Sequence, residues 1–164
     1  RPLILEVQAL VSPTNIGFAR RTTIGVENSR LNMILAVLEK KMGLALINQD
    51  VYVNIVGGIR PEGTYTDLAV ALAVYSSYKG KVLGSRTVAV GEIGLTGDLR
   101  AVQNGEKILK EASRLGFDRV VLPVKNAERL KKAAAEINAR RQADGTAAIQ
   151  LIGIKNIAEI QRLF

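Results

Sequence analysis

The chain has 164 residues and a mass of 17.7 kDa, 48% of them hydrophobic, enough for one domain with its own core and with no apolar run of membrane-spanning length. It contains neither Cys nor His, which excludes disulfides, thiolate chemistry, Ser-His-Asp and Cys-His mechanisms, and the commonest metal ligands. The 23 Lys and Arg against 15 Asp and Glu leave a net charge of +8, which favours an acidic partner, nucleic acid first, over a merely soluble basic surface.

Along the chain, Leu3 to Val11 alternates in polarity and predicts a half-buried strand, with a turn at Ser12-Pro13-Thr14-Asn15. A second strand is expected from Arg20 to Val26, where Thr22, Thr23 and Ile24 are β-branched. Asn28 and Ser29 suit the start of a helix over Arg30 to Met42, whose Leu31, Ile34, Leu35, Leu38 and Met42 share one face and which Gly43 ends. Val51 to Val56 reads as a third strand. After an aperiodic stretch, Thr64 and Asp67 have the spacing of a capping box for an alanine-rich helix over Tyr65 to Tyr78.

Two short strands follow, Thr87 to Val90 and Leu95 to Leu99, joined by Gly91 to Gly94. A helix from Glu106 to Leu115, a strand from Arg119 to Leu122, a helix from Ala127 to Arg141, a strand from Ile149 to Ile152 and a terminal helix from Asn156 to Phe164 complete the order. Gln142 to Ala148 reads as a flexible loop. Strands that lead and then alternate with helices predict an α/β (α+β) domain, a mixed sheet with packed helices.

Two segments carry a family resemblance. One is Gly57-Gly58-Ile59-Arg60-Pro61-Glu62-Gly63-Thr64-Tyr65-Thr66-Asp67 running into the alanine-rich helix; the other is Gly91-Glu92-Ile93-Gly94-Leu95-Thr96-Gly97. The second resembles the Gly-Glu-Ile-x-Leu-x-Gly segment of the Lon protease domain, and the first its nucleophile segment. Together with the opening Arg1-Pro2-Leu3 to Val11, the combination resembles the C-terminal Lon-protease-like domain of the RadA family of bacterial recombination and repair proteins. The resemblance covers nearly the whole chain. It implies a Lon protease proteolytic-domain-like fold (ribosomal protein S5 domain 2-like) in a single domain spanning residues 1–164.

The resemblance also implies that the peptidase site is degenerate. Tyr65 falls on the nucleophilic serine position, and Ile108, or its neighbour Lys107 in a register one residue off, on that of the catalytic lysine. One residue along a helix is about 100° of rotation, so Lys107 is expected to point elsewhere. None of Ser12, Ser29, Ser76, Ser77, Ser85 and Ser113 lies in the Lon-like segment, so a residual Ser/Lys-type peptidase stands only as an alternative, beside an oligomerisation module with no DNA contact. Further implied are a homo-oligomer, a hexameric ring supporting an ATP-driven motor that performs branch migration, and single-stranded DNA or branched recombination intermediates as partners. The zinc motif and ATPase, with their ATP, Mg and Zn, are expected in preceding domains, and no cofactor is expected in this one.

From charge alone, Arg20, Arg21, Lys79, Lys81 and Arg86 are candidates for DNA contact, and Arg129, Lys131, Lys132, Arg140 and Arg141 decorate a late helix. Three Phe and four Tyr are too few to predict an interleaved stacking surface, so phosphate contacts are expected to dominate. Glu92 reads as structural, and the Gly57-Gly58 pair as too little for a phosphate loop. An abrupt start at Arg1-Pro2 without a signal-peptide layout leads to the expectation of an excised domain of a cytoplasmic protein, with no membrane partner.

Overall fold

A computed structural model describes residues 4–15, 17–84 and 86–164. Leu3 at the head of the expected first strand, the opening Arg1-Pro2-Leu3 of the resemblance, and Ser85 lie outside the described residues. The elements are β1 (Val7–Pro13), β2 (Arg21–Ile24), α1 (Asn28–Met42), β3 (Gln49–Ile55), α2 (Asp67–Lys79), β4 (Thr87–Ala89), β5 (Glu92–Ile93) and β6 (Leu99–Arg100). They continue with α3 (Gly105–Arg114), β7 (Arg119–Pro123), α4 (Val124–Arg129), α5 (Lys131–Ala143), β8 (Gln150–Ile154) and a 3₁₀ helix over Ile157–Leu163.

The strands form two three-stranded sheets and a hairpin. The first sheet is mixed, in the order β1-β3-β2, with β3 antiparallel to β1 and parallel to β2. The second, β4-β7-β8, is wholly parallel. The chain is therefore an α/β domain with small mixed and parallel sheets and packed helices.

Two apolar clusters follow from this layout. In the first, Leu31, Ile34, Leu35 and Leu38 of α1 meet Val51, Val53 and Ile55 of β3 and Leu68, Val70 and Leu72 of α2, all buried. The second joins Ile108, Leu109 and Ala112 of α3 to Val120 and Leu122 of β7 and Ile137 of α5. The helical face predicted for α1 is the one that is buried, and Gly43 closes the helix in a left-handed conformation, its N–H bonded to the Glu39 carbonyl.

Several local expectations need correcting. β1 runs through Ser12 and Pro13, which pair with Asp50 and Gln49, so the turn begins at Thr14. A proline is tolerated there because a strand end can spare the missing N–H. Asn28 and Ser29 lie inside the first turn of α1; Glu27 is its cap, with no side-chain bond. The Thr64–Asp67 capping box does not form: Thr66 caps α2, and the Asp67 carboxylate is directed to partners outside its own helix. Gly91 to Gly94 contains β5, and Leu95 to Asp98 is the turn to β6. There Gly97 takes a φ of 84°, and a Cβ on Gly94 would lie 2.2 Å from Asp98 Oδ1. The Ala127–Arg141 helix is two helices, broken at Leu130. The terminal helix is 3₁₀, and it carries a true capping box, Asn156 with Glu159.

Candidate functional site

The start of α2 is fixed from three directions. Gly91 N–H donates to the Tyr65 carbonyl at 2.9 Å, and Leu68 N–H donates to the Gly91 carbonyl at 3.1 Å. Asp67 is buried, and accepts Arg30 Nε at 3.0 and 3.1 Å and the Ile93 N–H at 2.9 Å; Arg30 Nη2 also pairs with it and donates to the Ile93 carbonyl. One carboxylate thus ties α1, α2 and β5 together. The hydrogen bond to Asp67 raises the Arg30 pKa against the opposing effect of burial. This partnership was not foreseen from the sequence, because its members are 37 and 26 residues apart and the local spacing suggested a cap instead.

Beside this anchor lies a cavity of about 820 Å³ between β1, α2 and β4. Tyr65 and Ile108 both line it, together with Ala69, Leu72 and Ala73 of α2 and Val88 of β4. Ile108 faces the core, whereas Lys107 is exposed and is not part of the lining. Two serines reach the cavity, but each hydroxyl is engaged: Ser77 Oγ accepts the Val11 N–H at 2.8 Å, and Ser76 Oγ donates to the Lys81 carbonyl. No lysine or arginine lines the cavity among the described residues. A hydroxyl there has no amine at hand to activate it.

The basic candidates gather elsewhere, and differ in how far they are free. Arg20 is exposed; its backbone N–H donates to Asp50 Oδ1 at 2.8 Å, and its guanidinium has no hydrogen-bonded partner among the described residues. Arg21 is half-buried and spent on the Gln49 and Leu46 carbonyls, so its role is to hold the chain. Lys79 ends α2 with its ammonium 5.8 Å from the Tyr78 ring centroid. Because the Tyr78 hydroxyl accepts the Ala45 N–H and Arg21 reaches Leu46, these groups meet on one loop, residues 43–48, at one end of the molecule.

Lys81 is exposed just beyond, and Arg86 is exposed with a φ of 65° and a carbonyl that accepts Asp118 and Arg119 N–H. The structure adds Arg119, whose guanidinium lies against Gly84 in the same connection. Of the late cluster, Arg141 is no surface charge: it is buried, donating to the Phe117 carbonyl at 3.0 Å near the end of α3. Glu92 is paired with Arg100 at 3.8 Å.

Asp50 organises the loop between β1 and β2. It accepts from Arg20 N–H and from Thr14 Oγ1 at 2.9 Å, and the Arg20 hydrogen bond is the chief reason its pKa is lowered. Among the described residues no helix is long and apolar enough to cross a membrane, and no three His, Cys, Asp or Glu side chains are grouped to hold a metal ion.

The family model for subunit ChlI of Mg-chelatase matches residues 12–126. The DNA repair protein RadA of Streptococcus pneumoniae is 42% identical over 160 residues, 98% of this chain and 35% of that protein. RadA of Bacillus subtilis is 36% identical over 162 residues, 99% of this chain and 32% of that protein. RadA of Halalkalibacterium halodurans is 44% identical over 126 residues, 77% of this chain and 28% of that protein. The chain spans about a third of the length of these relatives.

Proposed function

The chain belongs to the family described as subunit ChlI of Mg-chelatase and has homologues named DNA repair protein RadA, and from that premise we propose that it is a non-proteolytic, Lon-protease-like scaffold domain of a DNA repair protein. In this reading it supports a hexameric ring and offers a basic surface to single-stranded DNA or branched recombination intermediates. ATP hydrolysis, branch migration, and the Zn and Mg that go with them belong to preceding parts of the full protein, acting in the cytoplasm. The chain itself hydrolyses no peptide bond.

The observation that carries the proposal is the similarity to RadA proteins across 98% and 99% of the chain. The site geometry supports it from two sides. Tyr65 and Ile108 line one cavity, at the positions where the resemblance would require a nucleophile and its base. Arg20, Lys79, Lys81 and Arg86 carry positive charge outside the cavity lining.

The test is fluorescence-anisotropy binding of the chain to a labelled single-stranded oligonucleotide across a range of salt. The expected affinity falls linearly in log salt, with a slope of about −0.7 per phosphate neutralised. Replacing Arg20, Lys79, Lys81 and Arg86 together by Ala should flatten that slope. Absence of binding at low salt would remove DNA contact from the proposal and leave a ring-forming module.

A further inference from the structure

We propose that the open face of the first sheet, with the β1–β2 loop, is a stacking platform for single-stranded nucleic acid, with Phe18 and Tyr52 as the base-contacting rings and Arg20 as a phosphate contact. This rests on the DNA reading above and deepens it by naming a surface and the kind of strand it takes; it departs from the expectation that phosphate contacts dominate, because the fold gathers two of the few aromatic rings on one exposed face.

Alternation along the strands puts Gln8 and Leu10 of β1, Tyr52 and Asn54 of β3, and Thr22 and Ile24 of β2 on the face that the helices do not cover. The register sets Leu10 and Thr22 on either side of Tyr52, with Ile24 beside Asn54. The opposite face, through Val51, Val53 and Ile55, is buried in the core. Leu10 and Ile24 are 57% and 56% exposed and Tyr52 36%, so a large tyrosine and two aliphatic side chains stand in solvent on adjoining strands. In a chain with 23% charged residues, these six positions carry no charge at all.

The loop brings the rest. Asp50 shares the outward parity of Tyr52 and Asn54, yet it is buried, because the chain folds over it and fastens there through Thr14 Oγ1 and the Arg20 N–H. Pinned at both ends on this side of the sheet, the loop carries Phe18, 96% exposed, the most exposed of the large apolar side chains among the described residues. Arg20 follows two residues later, exposed and with no hydrogen-bonded partner for its guanidinium among the described residues. Asp50, the acid at that end of β3, is consumed inside the loop anchor. Glu6 stands at the far end of β1, where Gln8 donates to it.

A flat ring offers a π-face to any base, and stacking of this kind needs no hydrogen-bond code, so it suits a strand of any sequence. Duplex DNA hides its base faces and would meet only the arginine. An apolar protein surface could also cover Leu10 and Ile24. An exposed arginine without a hydrogen-bonded guanidinium partner among the described residues, two residues from an exposed phenylalanine in a chain of charge +8, favours a polyanion with aromatic faces.

The chain contains no Trp, so Phe18→Trp installs a single fluorescent reporter at an exposed site. Titration with a thymidine oligonucleotide should quench its emission saturably. Phe18→Ala and Tyr52→Ser should each weaken single-strand binding by about tenfold and leave duplex binding unchanged, while Tyr52→Phe keeps the affinity. Single-strand affinity unaltered in both Phe18→Ala and Tyr52→Ser would overturn the platform and leave the DNA reading standing. No binding by the unsubstituted chain at low salt would overturn both. Emission that changes with protein concentration alone, alongside a rise in sedimenting mass, would assign the face to contact between copies of the chain and overturn the inference.

Discussion

Two buried aspartates hold two regions of this molecule, and they use their neighbouring arginines in opposite ways. At the start of α2, Asp67 takes the guanidinium of Arg30 together with the Ile93 amide, so the charge of the arginine is consumed in the bond. At the head of β3, Asp50 takes the backbone amide of Arg20 and a threonine hydroxyl, and the guanidinium of Arg20 acts on it only through space, without a hydrogen bond. A carboxylate satisfied by a cation closes a region; one satisfied by main chain and hydroxyl fixes a loop and leaves the cation available. The first arrangement stands beside the apolar cavity, the second beside the open sheet face. The same pair of residue types therefore builds a structural lock in one place and a presented charge in the other.

The comparison breaks most readily at Asp67. Asp67→Ala strands Arg30 and leaves the Ile93 N–H without its acceptor. Removing one partner of a buried pair costs about 3–5 kcal/mol, and the partial exposure of Arg30 puts the expected loss at the lower end, about 3 kcal/mol. Urea unfolding should show a lower midpoint at unchanged slope. A loss under about 0.5 kcal/mol would mean that the lock contributes nothing beyond surface pairing.

Arg141 and Arg20 sharpen it next. Arg141 donates to the Phe117 carbonyl from a buried position, so Arg141→Ala should cost about 2 kcal/mol in lost packing and an unmet acceptor. It should not change DNA affinity. Arg20→Ala should do the reverse: stability within about 0.5 kcal/mol, and a salt slope smaller by about one phosphate contact. If both variants move the same observable, buried and presented arginines are not separable here.

What the sequence made legible was local or periodic. The buried stripe of α1, from Leu31 to Leu38, follows from spacing alone, and so does the order of strands and helices apart from β5 and the division of one helix at Leu130. Tyr65 and Ile108 stood out only through the resemblance, and local spacing says nothing of their meeting at one cavity, since they are far apart in the chain. The contacts that distinguish one arginine from another were not legible. Arg20, Arg21 and Arg141 look alike in sequence, and only the fold spends two of them on carbonyls. Asp67 misled for the same reason: its spacing from Thr64 fits a cap, but a guanidinium brought in from α1 competes for the carboxylate and wins. The break at Leu130 gave no sign either, since no glycine or proline interrupts the run from Ala127 to Arg141.

The smallest effect is expected at Asp50, and it is read best as a function of pH. Its carboxyl sits below the ordinary value of 3.8, chiefly through the Arg20 amide, so the ionised form is the one that the fold stabilises. For a group depressed in this way, the contribution is complete above the unfolded value and is lost as pH falls through the folded one. The loop anchor should therefore be insensitive to pH from neutrality down to about 5, and should weaken below about 4. With Phe18→Trp as reporter, emission should stay constant across the upper range and change only in acid. Adding Asp50→Asn, which keeps an oxygen for Thr14 and the Arg20 amide but cannot titrate, should flatten that change. An acid transition of equal size with aspartate and asparagine would show that the loop is held by something other than this carboxylate, and the contrast with Asp67 would then rest on Arg30 alone.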